Sequence, residues 1–194
     1  MKTGMIILAG GNSGRLGQPK QLLTYNGKAL LDIVTEAAIA SGFSPVLTVL
    51  GGYADQLAEI LKTDFIINSD WESGLSGSIV TGLSALLQSD PDLDQVILTV
   101  SDQPFISVAV FKELFENQQI SQKGIVASRY TDTIGTPVLF TQKYFKQLLA
   151  LSGNRGAKAI INNNPNDVAT IAFEMGHIDI DTMADYINLT EQYT

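Results

Sequence analysis

The sequence predicts an α/β protein with three layers, in which helices cover both faces of a parallel sheet. Three observations carry this prediction. Short apolar runs alternate with segments of helical periodicity along the whole chain. The first and fourth runs are almost continuously apolar, as in strands buried on both faces. Glycine-rich or acidic segments directly follow several of the runs.

The apolar runs are predicted as strands because they are short and are bounded by polar or turn-forming residues. They cover residues 5–9, 45–50, 64–68, 95–100, 124–128, 137–140 and 167–173. Pro137 is expected to begin its strand, a position that proline tolerates.

Helices are predicted between these strands, where apolar residues recur every three or four positions. They cover residues 29–41, 54–61, 76–88, 108–118, 143–151, 156–162 and 183–188. The first ends before Gly42, a residue suited to the position after a helix end. No repeat, low-complexity linker or change of composition divides the chain, so residues 1–194 are predicted to form one domain.

Composition narrows the class of function. With 45% hydrophobic and 16% charged residues, the chain has the composition of a globular protein. It has no cysteine, which excludes disulfides and thiolate metal sites, and its single histidine, His177, is expected in an exposed turn. The net charge of −8 argues against a nucleic-acid partner. No apolar run is long enough to span a membrane, and no signal peptide is recognisable, so a cytoplasmic location is expected.

The unusual residues follow predicted strands. Residues 8–20 (LAGGNSGRLGQPK), 68–78 (NSDWESGLSGS) and 101–104 (SDQP) come after the first, third and fourth strands. Ligands of open α/β sheets bind outside the carboxyl ends of the strands. The sequence therefore predicts a ligand site at this edge.

The first of these segments fits neither familiar phosphate-binding loop. It lacks the G-x-G-x-x-G spacing of dinucleotide-binding folds, and Lys20 is not placed as in a P-loop, which argues against a nicotinamide-dependent reductase and P-loop hydrolysis. Its glycines allow the backbone to approach phosphate closely. Arg15 can bind phosphate with two hydrogen bonds, while Lys20 supplies a compact charge.

Carboxylates at the predicted edge suggest a magnesium site. Asp102 follows a buried strand, where it can contribute to Mg²⁺ together with substrate phosphates. A second ligand is expected from Asp179 or Asp181, with Asp181 favoured. The alternative for Asp181 is that it, or Thr182, caps the last helix.

The other candidate site residues have two interpretations each. Trp71 could stack on a flat ring of a ligand, or cover the edge of the core. Ser76 and Ser78 could cap a helix or contact base and ribose, with Ser78 favoured for contact. Arg155, and more weakly Arg129, could bind a phosphate group or lie on the surface as an ordinary cation.

Residues 8–20 resemble the signature L-A-[AG]-G-x-S-x-R-[MFL]-G-x-x-K of nucleotidyltransferases with a Rossmann-like fold. The matching residues are Leu8, Ala9, Gly10, Gly11, Ser13, Arg15, Leu16, Gly17 and Lys20. Within that superfamily, most of the chain is similar to the molybdenum cofactor cytidylyltransferases and their relatives. This further similarity rests on Asn68, Trp71, Gly74, Ser76 and Ser78, on Asp102-Gln103-Pro104, on Gly135-Thr136-Pro137, on residues 153–158 and on residues 179–182.

Some positions depart from the cytidylyl pattern. Gly10 is more usual in the guanylyltransferase branch, whereas Pro19, the Trp71 segment and Asp102-Gln103-Pro104 favour the cytidylyl branch. Thr136 stands where histidine is common and Asn154 where aspartate is common. Both lie where the pterin side of the site would be expected.

The resemblance implies a three-layer, Rossmann-like nucleotidyltransferase fold with a mostly parallel, mixed sheet. It also implies Mg²⁺-dependent transfer of a nucleotidyl group to molybdopterin phosphate, with release of pyrophosphate. It implies CTP rather than GTP as donor, and a molybdoenzyme as a recipient of the product. Arg15, Lys20 and Asp102 would be catalytic; the nucleotide would contact Leu8, Ala9, Gly10, Gly11, Ser13, Arg15, Lys20, Asn68 and Ser78. The acceptor would contact Trp71, Gln103 and Arg155, and the metal Asp102 with Asp181 or Asp179.

Three alternatives stay open at this point. A molybdopterin guanylyltransferase would use GTP, and a sugar-phosphate or alditol-phosphate nucleotidyltransferase would share the amino-terminal features and differ in its acceptor. A non-catalytic module could instead bind nucleotide and hand cofactor to another enzyme, although it would have no need for Arg15, Lys20 and Asp102.

Overall fold

The computed structural model describes residues 1–193, and its centre is a seven-stranded sheet with the strand order β5-β4-β1-β6-β8-β7-β9. The strands of this sheet are β1 (Thr3–Ala9), β4 (Val46–Leu50), β5 (Asp64–Ile67), β6 (Gln95–Val100), β7 (Ile125–Tyr130), β8 (Thr133–Thr141) and β9 (Val168–Ala172). Strand β8 is antiparallel to both of its neighbours, β6 and β7, and the other pairs are parallel. The predicted mostly parallel, mixed sheet is confirmed.

Helices cover both faces of the sheet. Within residues 1–193 they are α1 (Leu30–Ala40), α2 (Ala54–Ala58), α3 (Leu75–Ser89), α4 (Val108–Ser121), α5 (Phe145–Leu149), α6 (Lys158–Asn163) and α7 (Met183–Gln192). Alternate residues of β1 enter two separate cores, with Ile6 and Leu8 in one and Met5 and Ile7 in the other. Both faces are therefore buried, which explains why this strand is continuously apolar. No helix of the described residues is long and apolar enough to cross a membrane.

The prediction that Pro137 begins its strand is wrong. Strand β8 starts at Thr133, so the proline lies inside it. The register shifts here: Ala127 pairs with Val138, but Ser128 pairs with Gly135, which leaves Thr136 and Pro137 outside the ladder. A proline without an N–H group is accommodated at such an irregularity.

Helix boundaries differ from the predictions by up to four residues, and two differences have a local cause. Helix α6 begins at Lys158 rather than at Gly156, because Gly156 has a φ of +55° and cannot be helical. The predicted helix over residues 143–151 is shortened to α5, since a 3₁₀ turn over Gln142–Tyr144 precedes it. Gly42, with a φ of +80°, follows α1 as predicted.

A small hairpin was missed by the sequence analysis. Strands β2 (Thr24–Tyr25) and β3 (Lys28–Ala29) pair in antiparallel fashion around Asn26 and Gly27. Both turn residues have positive φ, of 48° and 77°. Asn-Gly is the preferred dipeptide for this type of turn, so the signal was present in the sequence.

The partly buried carboxylate of Asp167 makes contacts that depend on its charge and are therefore sensitive to acid. Asp167 Oδ2 accepts hydrogen bonds from Lys143 Nζ at 2.8 Å and Tyr144 Oη at 2.6 Å, and Oδ1 accepts one from the Gly124 amide at 3.0 Å. Burial opposes ionisation, but these donors outweigh it and lower the pKa of Asp167 to about 2. Burial, together with the hydrogen bond to the charged Asp167, raises the pKa of Tyr144 to about 12.

We expect Asp167→Asn to lower the free energy of unfolding at pH 7 by roughly 1–2 kcal/mol. Because the folded-state pKa lies below the unfolded one, this stabilisation is present above about pH 4 and is lost as the pH falls towards 2. Urea titrations of the variant and wild type should therefore converge over that range. The control is Asp92→Asn on the exposed surface, and an unchanged gap between wild type and Asp167→Asn at low pH would contradict the assignment.

Candidate active site

A cleft of about 490 Å³ opens at the carboxyl ends of the parallel strands. It is lined by Leu8, Ala9, Gly10, Gly11, Asn12, Lys20, Gln21, Trp71, Glu72, Gly74, Leu75, Ser78, Val100, Ser101 and Asp102. The loops after β1, β5 and β6, which are far apart in the sequence, thus meet at one edge. The cleft lies where open α/β sheets bind their ligands.

The glycine-rich loop after β1 folds back on itself. Ser13 has a φ of 48°, and its hydroxyl accepts a hydrogen bond from the Lys20 amide at 3.1 Å. The carbonyl of Ser13 accepts bonds from the Leu16 and Gly17 amides. Ser13 is therefore a structural part of the loop and is not among the residues of the cleft wall.

Gln21 was not identified by the sequence analysis, yet it supports this loop directly. Its side chain is 1% exposed, and Nε2 donates to the carbonyls of Ala9 at 3.1 Å and Gly11 at 3.4 Å. Its Oε1 is buried and has no hydrogen-bond partner within residues 1–193. The amide thus fixes the start of the loop at the cleft wall.

We expect Gln21→Glu to raise the KM for the substrate bound in the cleft at least about fivefold and to destabilise the fold by about 1–3 kcal/mol. The substitution keeps the size of the side chain but turns a donor into a carboxylate oxygen that faces two carbonyls. Steady-state kinetics and urea unfolding measure both effects. Gln18→Glu, on the exposed part of the same loop, is the control. An unaltered KM in Gln21→Glu would show that the loop does not depend on this amide.

Close backbone packing supports the opposite wall, and its key residue was also missed. A Cβ atom on Gly51 would lie 2.2 Å from the Gly10 carbonyl oxygen and 2.7 Å from Trp71 Cβ. The Gly52 amide donates to the same Gly10 oxygen at 3.2 Å. Only glycine fits at position 51, which lets the loops after β1 and β4 lie against each other and against Trp71.

An ion-pair cluster borders the cleft. Lys20 Nζ lies 2.5 Å from Asp102 Oδ2 and 2.8 Å from Asp181 Oδ1. Arg15 contacts Asp181 Oδ2 at 2.9 Å. The lysine side chain is 14% exposed and that of Arg15 73%. Folding thus assembles four predicted site residues from three distant parts of the chain.

The cluster stabilises its own charges. Burial opposes the charge of Lys20, but Asp102 and Asp181 outweigh it and raise the pKa of the ammonium group. The hydrogen bond from Lys20, with a further contribution from Arg15, lowers the pKa of Asp181 against the effect of burial. Both groups are therefore charged at neutral pH.

Asp181 does not cap the last helix. Thr182 is the N-cap of α7: its hydroxyl accepts from the Asp185 amide at 3.2 Å, and Asp185 Oδ2 accepts from the Thr182 amide at 2.7 Å. This capping box leaves the Asp181 carboxylate to Arg15 and Lys20. Ile180, between Asp179 and Asp181, is buried, and its amide lies 3.3 Å from the Asp102 carbonyl oxygen. This contact anchors the segment beside β6.

The residues present fit a divalent cation, although the protein alone does not complete its ligand set. Asp102 Oδ1 is buried and has no hydrogen-bond partner within residues 1–193, so it is available as a ligand. Asp179 faces a neighbouring cavity of about 170 Å³ that Asp102 also lines. The described part of the chain contains no group of three or more His, Cys, Asp or Glu side chains placed to hold a metal. Mg²⁺ commonly takes one or two carboxylates and completes its shell with phosphates and water.

Asn68 and Ser78 form one unit behind the cleft. Asn68 Nδ2 donates to Ser78 Oγ at 3.2 Å, and Asn68 Oδ1 accepts from the Asp70 amide at 3.1 Å. Ser78 lines the cleft, whereas Ser76 Oγ is buried without a partner among the described residues. The alternative that either serine caps α3 is wrong, because Gly74 is the N-cap and no side chain bonds there.

The residues predicted to bind the acceptor are not brought together. Trp71 lines the cleft, whereas Gln103 is 3% exposed and donates to the carbonyls of Gly176 at 2.7 Å and Thr136 at 3.2 Å. Arg155 lines a second, mainly apolar cavity of about 200 Å³, which shares Leu8 and Leu75 with the cleft.

The second cavity adjoins the smaller cavity that Asp179 faces. Tyr130 and Thr136 line both cavities. Arg129 is exposed and lies away from the cleft. His177 is exposed in a 3₁₀ turn, as predicted, and its Nδ1 lies 2.6 Å from the Glu174 carbonyl oxygen. Tyr130 was not identified from the sequence, because none of the motifs described above contains it.

The chain is similar to known proteins along nearly its whole length. Curated relatives include the nicotine blue oxidoreductase of Paenarthrobacter nicotinovorans, 25% identical over 95% of this chain and 94% of that protein. The molybdenum cofactor cytidylyltransferase of Escherichia coli is 23% identical over 97% of this chain and 96% of that protein.

Solved structures show the same fold. Rv0371c from Mycobacterium tuberculosis superposes with a TM-score of 0.86 and 28% identity, covering 98% of each chain. A structure of Rv0371c in complex with manganese superposes with a TM-score of 0.81 and 26% identity, covering 99% of this chain and all of that one.

Family comparison covers most of the chain and all of the cleft residues. Residues 5–168 match the MobA-like NTP transferase domain. The matched segment includes the glycine-rich loop, Lys20 and Asp102, while Asp179 and Asp181 lie beyond it. The chain therefore belongs to the MobA-like NTP transferase domain family and is a nucleotidyltransferase.

Proposed function

We propose that the protein transfers a nucleoside monophosphate from a nucleoside triphosphate, with CTP as the donor, to the phosphate of molybdopterin, and that it uses Mg²⁺. The observation that carries this proposal is the ion-pair cluster at the cleft. Two cations and two carboxylates from distant segments meet beside a cavity walled by a glycine-rich loop. This combination suits a triphosphate and its metal ion.

The protein contributes positioning and charge stabilisation to this reaction. An oxygen of the acceptor phosphate attacks the α-phosphorus and forms a new P–O bond, while the bond to the bridging oxygen breaks and pyrophosphate leaves. That acceptor oxygen is already anionic, so no general base is required. Lys20 and Arg15 donate hydrogen bonds to the negative oxygens, and their effect is strongest where charge develops. The glycine-rich loop holds the triphosphate in the orientation that attack requires.

A bound Mg²⁺ would be held by Asp102 together with Asp181 or Asp179, and it would neutralise charge on the α-phosphate and the leaving pyrophosphate. The free, buried Oδ1 of Asp102 supports this assignment. The relative whose structure contains manganese supports a divalent ion in this fold.

CTP is proposed over GTP for two reasons. Pro19, the Trp71 segment and Asp102-Gln103-Pro104 match the cytidylyl pattern, and a cytidylyltransferase relative aligns with 97% of this chain. Gly10 is the residue that favours GTP. A methyl group at position 10 would lie 3.0 Å from Ser78 Oγ, so the choice between glycine and alanine acts directly on a residue of the cleft.

Molybdopterin is proposed as acceptor because the apolar cavity beside the cleft suits a flat ring system. Arg155, which lines this cavity, could pair with a phosphate. The loop that carries Arg155 packs closely on the cleft, since a Cβ atom on Gly74 would lie within 3 Å of the Asn154 side chain. A molybdoenzyme would then take the product.

Pyrophosphate release tests the proposal. The purified protein is assayed with each of CTP, GTP, ATP and UTP, with Mg²⁺ and with or without molybdopterin. We expect release that needs molybdopterin and is fastest with CTP.

Each alternative has a distinct result in this assay. Release fastest with GTP would identify a guanylyltransferase, and release with a sugar phosphate or alditol phosphate alone would replace the acceptor. A protein that binds the cofactor but never releases pyrophosphate would be a carrier. Because one relative is named as an oxidoreductase, NADH oxidation is measured in parallel, and NADH oxidation without pyrophosphate release would overturn the proposal.

A further inference from the structure

Lys20 lies where it conflicts with a metal ion. Its ammonium group bridges Asp102 Oδ2 and Asp181 Oδ1, at 2.5 and 2.8 Å. These are two of the carboxylates proposed above to hold the divalent ion. An ion coordinated by both would lie within a few ångströms of the ammonium group, and repulsion at that distance is strong in a partly buried site.

Charge balance leads to the same conclusion. Asp102 and Asp181 carry two negative charges, and Lys20 and Arg15 carry two positive charges, so the four side chains sum to zero. Asp179, which shares a cavity with Asp102, adds at most one negative charge, so a free cation is attracted far less than by three unpaired carboxylates. A nucleoside triphosphate entering the cleft adds several negative charges and changes this balance.

We propose that Lys20 acts as an internal counter-ion in the nucleotide-free protein, so that a divalent ion is held by Asp102 and Asp181 only together with the nucleotide. The inference rests on the metal ligands of the proposed function. It assigns Lys20 a second role, as a positioning residue for the carboxylates, in addition to its contact with phosphate.

The exchange needs only one side chain to move. Lys20 lines the cleft, so its ammonium group is within reach of both the carboxylates and a bound triphosphate. Lysine has a flexible stem and three donors that can be redirected. When the ammonium group turns to the phosphates, Asp102 Oδ2 and Asp181 Oδ1 lose their contact with Lys20. Together with Asp102 Oδ1, which has no partner in the described residues, they then become available as metal ligands.

Binding of Mn²⁺ in the absence of nucleotide and acceptor tests this inference. Free Mn²⁺ is measured by its electron paramagnetic resonance signal during titration of the wild type and of Lys20→Met. Lys62→Met is the matched control, because Lys62 Nζ also lies between two carboxylates, 2.8 Å from Glu36 and 3.7 Å from Asp32, away from the cleft. Lys20→Gln provides a second neutral variant if Lys20→Met does not fold.

We expect Lys20→Met or Lys20→Gln to bind Mn²⁺ at least about tenfold more tightly than the wild type. Lys20→Arg retains the charge and should bind as weakly as the wild type. The gain should disappear when Asp102→Asn is added to Lys20→Met, and Lys62→Met should show no gain.

The inference is overturned if the folded neutral variants bind Mn²⁺ no more tightly than the wild type, or if Lys62→Met gains as much. These results are independent of turnover. A protein that releases no pyrophosphate but shows the gain would disprove the proposed function and retain the counter-ion role, whereas turnover without the gain would do the reverse.

Discussion

Replacing Asp102 with alanine is expected to lower kcat/KM by at least about a thousandfold while the protein stays folded. The carboxylate lies at the end of β6, provides the buried free oxygen of the cleft, and pairs with Lys20 through its other oxygen. Its removal therefore takes away a metal ligand and one partner of the lysine at once. The lysine retains Asp181 as a partner, which limits the loss of stability.

Pyrophosphate release and thermal unfolding of the same preparations measure the two parts of this prediction. Asp102→Asn, which keeps the shape of the side chain, should lose nearly as much activity as Asp102→Ala. Asp92→Asn on the exposed surface should behave as the wild type. Substantial activity in a folded Asp102→Ala variant would remove this residue as a metal ligand.

Loss of either cation is expected to cost more than about 2 kcal/mol of transition-state stabilisation, which corresponds to at least about a thirtyfold fall in kcat/KM. Lys20→Ala should lose more than Arg15→Ala. The lysine side chain is 14% exposed and borders the cleft wall, whereas that of Arg15 is 73% exposed and more strongly screened by water.

The double variant gives a further test of this prediction. Both cations contact Asp181, so their effects on kcat/KM should not simply add. Lys28→Ala, which removes an exposed ion pair with Glu36, is the control. A kcat/KM of Lys20→Ala within threefold of the wild type would show that the ammonium group does not act in the transition state.

The sheet and the position of the cleft could be predicted from the sequence because their signals are local. Each strand is a short apolar run, and the segments that bear Lys20 and Asp102 follow strand ends. The start of β8 could not be predicted in this way. Its first four residues are only half-buried and do not form an apolar run, and they become a strand by pairing with β7.

Support for the site was the least predictable part. Gln21 resembles any polar residue near a loop, and only the fold shows that its amide reaches two carbonyls of the preceding loop. Gly51 lies in a Gly-Gly turn. The need for glycine at this position is evident only from the position of the Gly10 carbonyl in the fold. Such residues act through contacts between distant segments, for which a single sequence contains no pattern.

The reversed direction of β8 has a consequence for how this enzyme can diversify. Because β7 is parallel to β6 and is joined to β8 by the short turn at Thr131 and Asp132, that turn projects at the same edge as the cleft. A longer turn would add residues next to Tyr130, which lines the second cavity, and leave the registers of β1, β4 and β6 unchanged. The lining of the second cavity, which is the acceptor site in the proposed function, can thus change separately from the glycine-rich loop, each through insertions in its own loop.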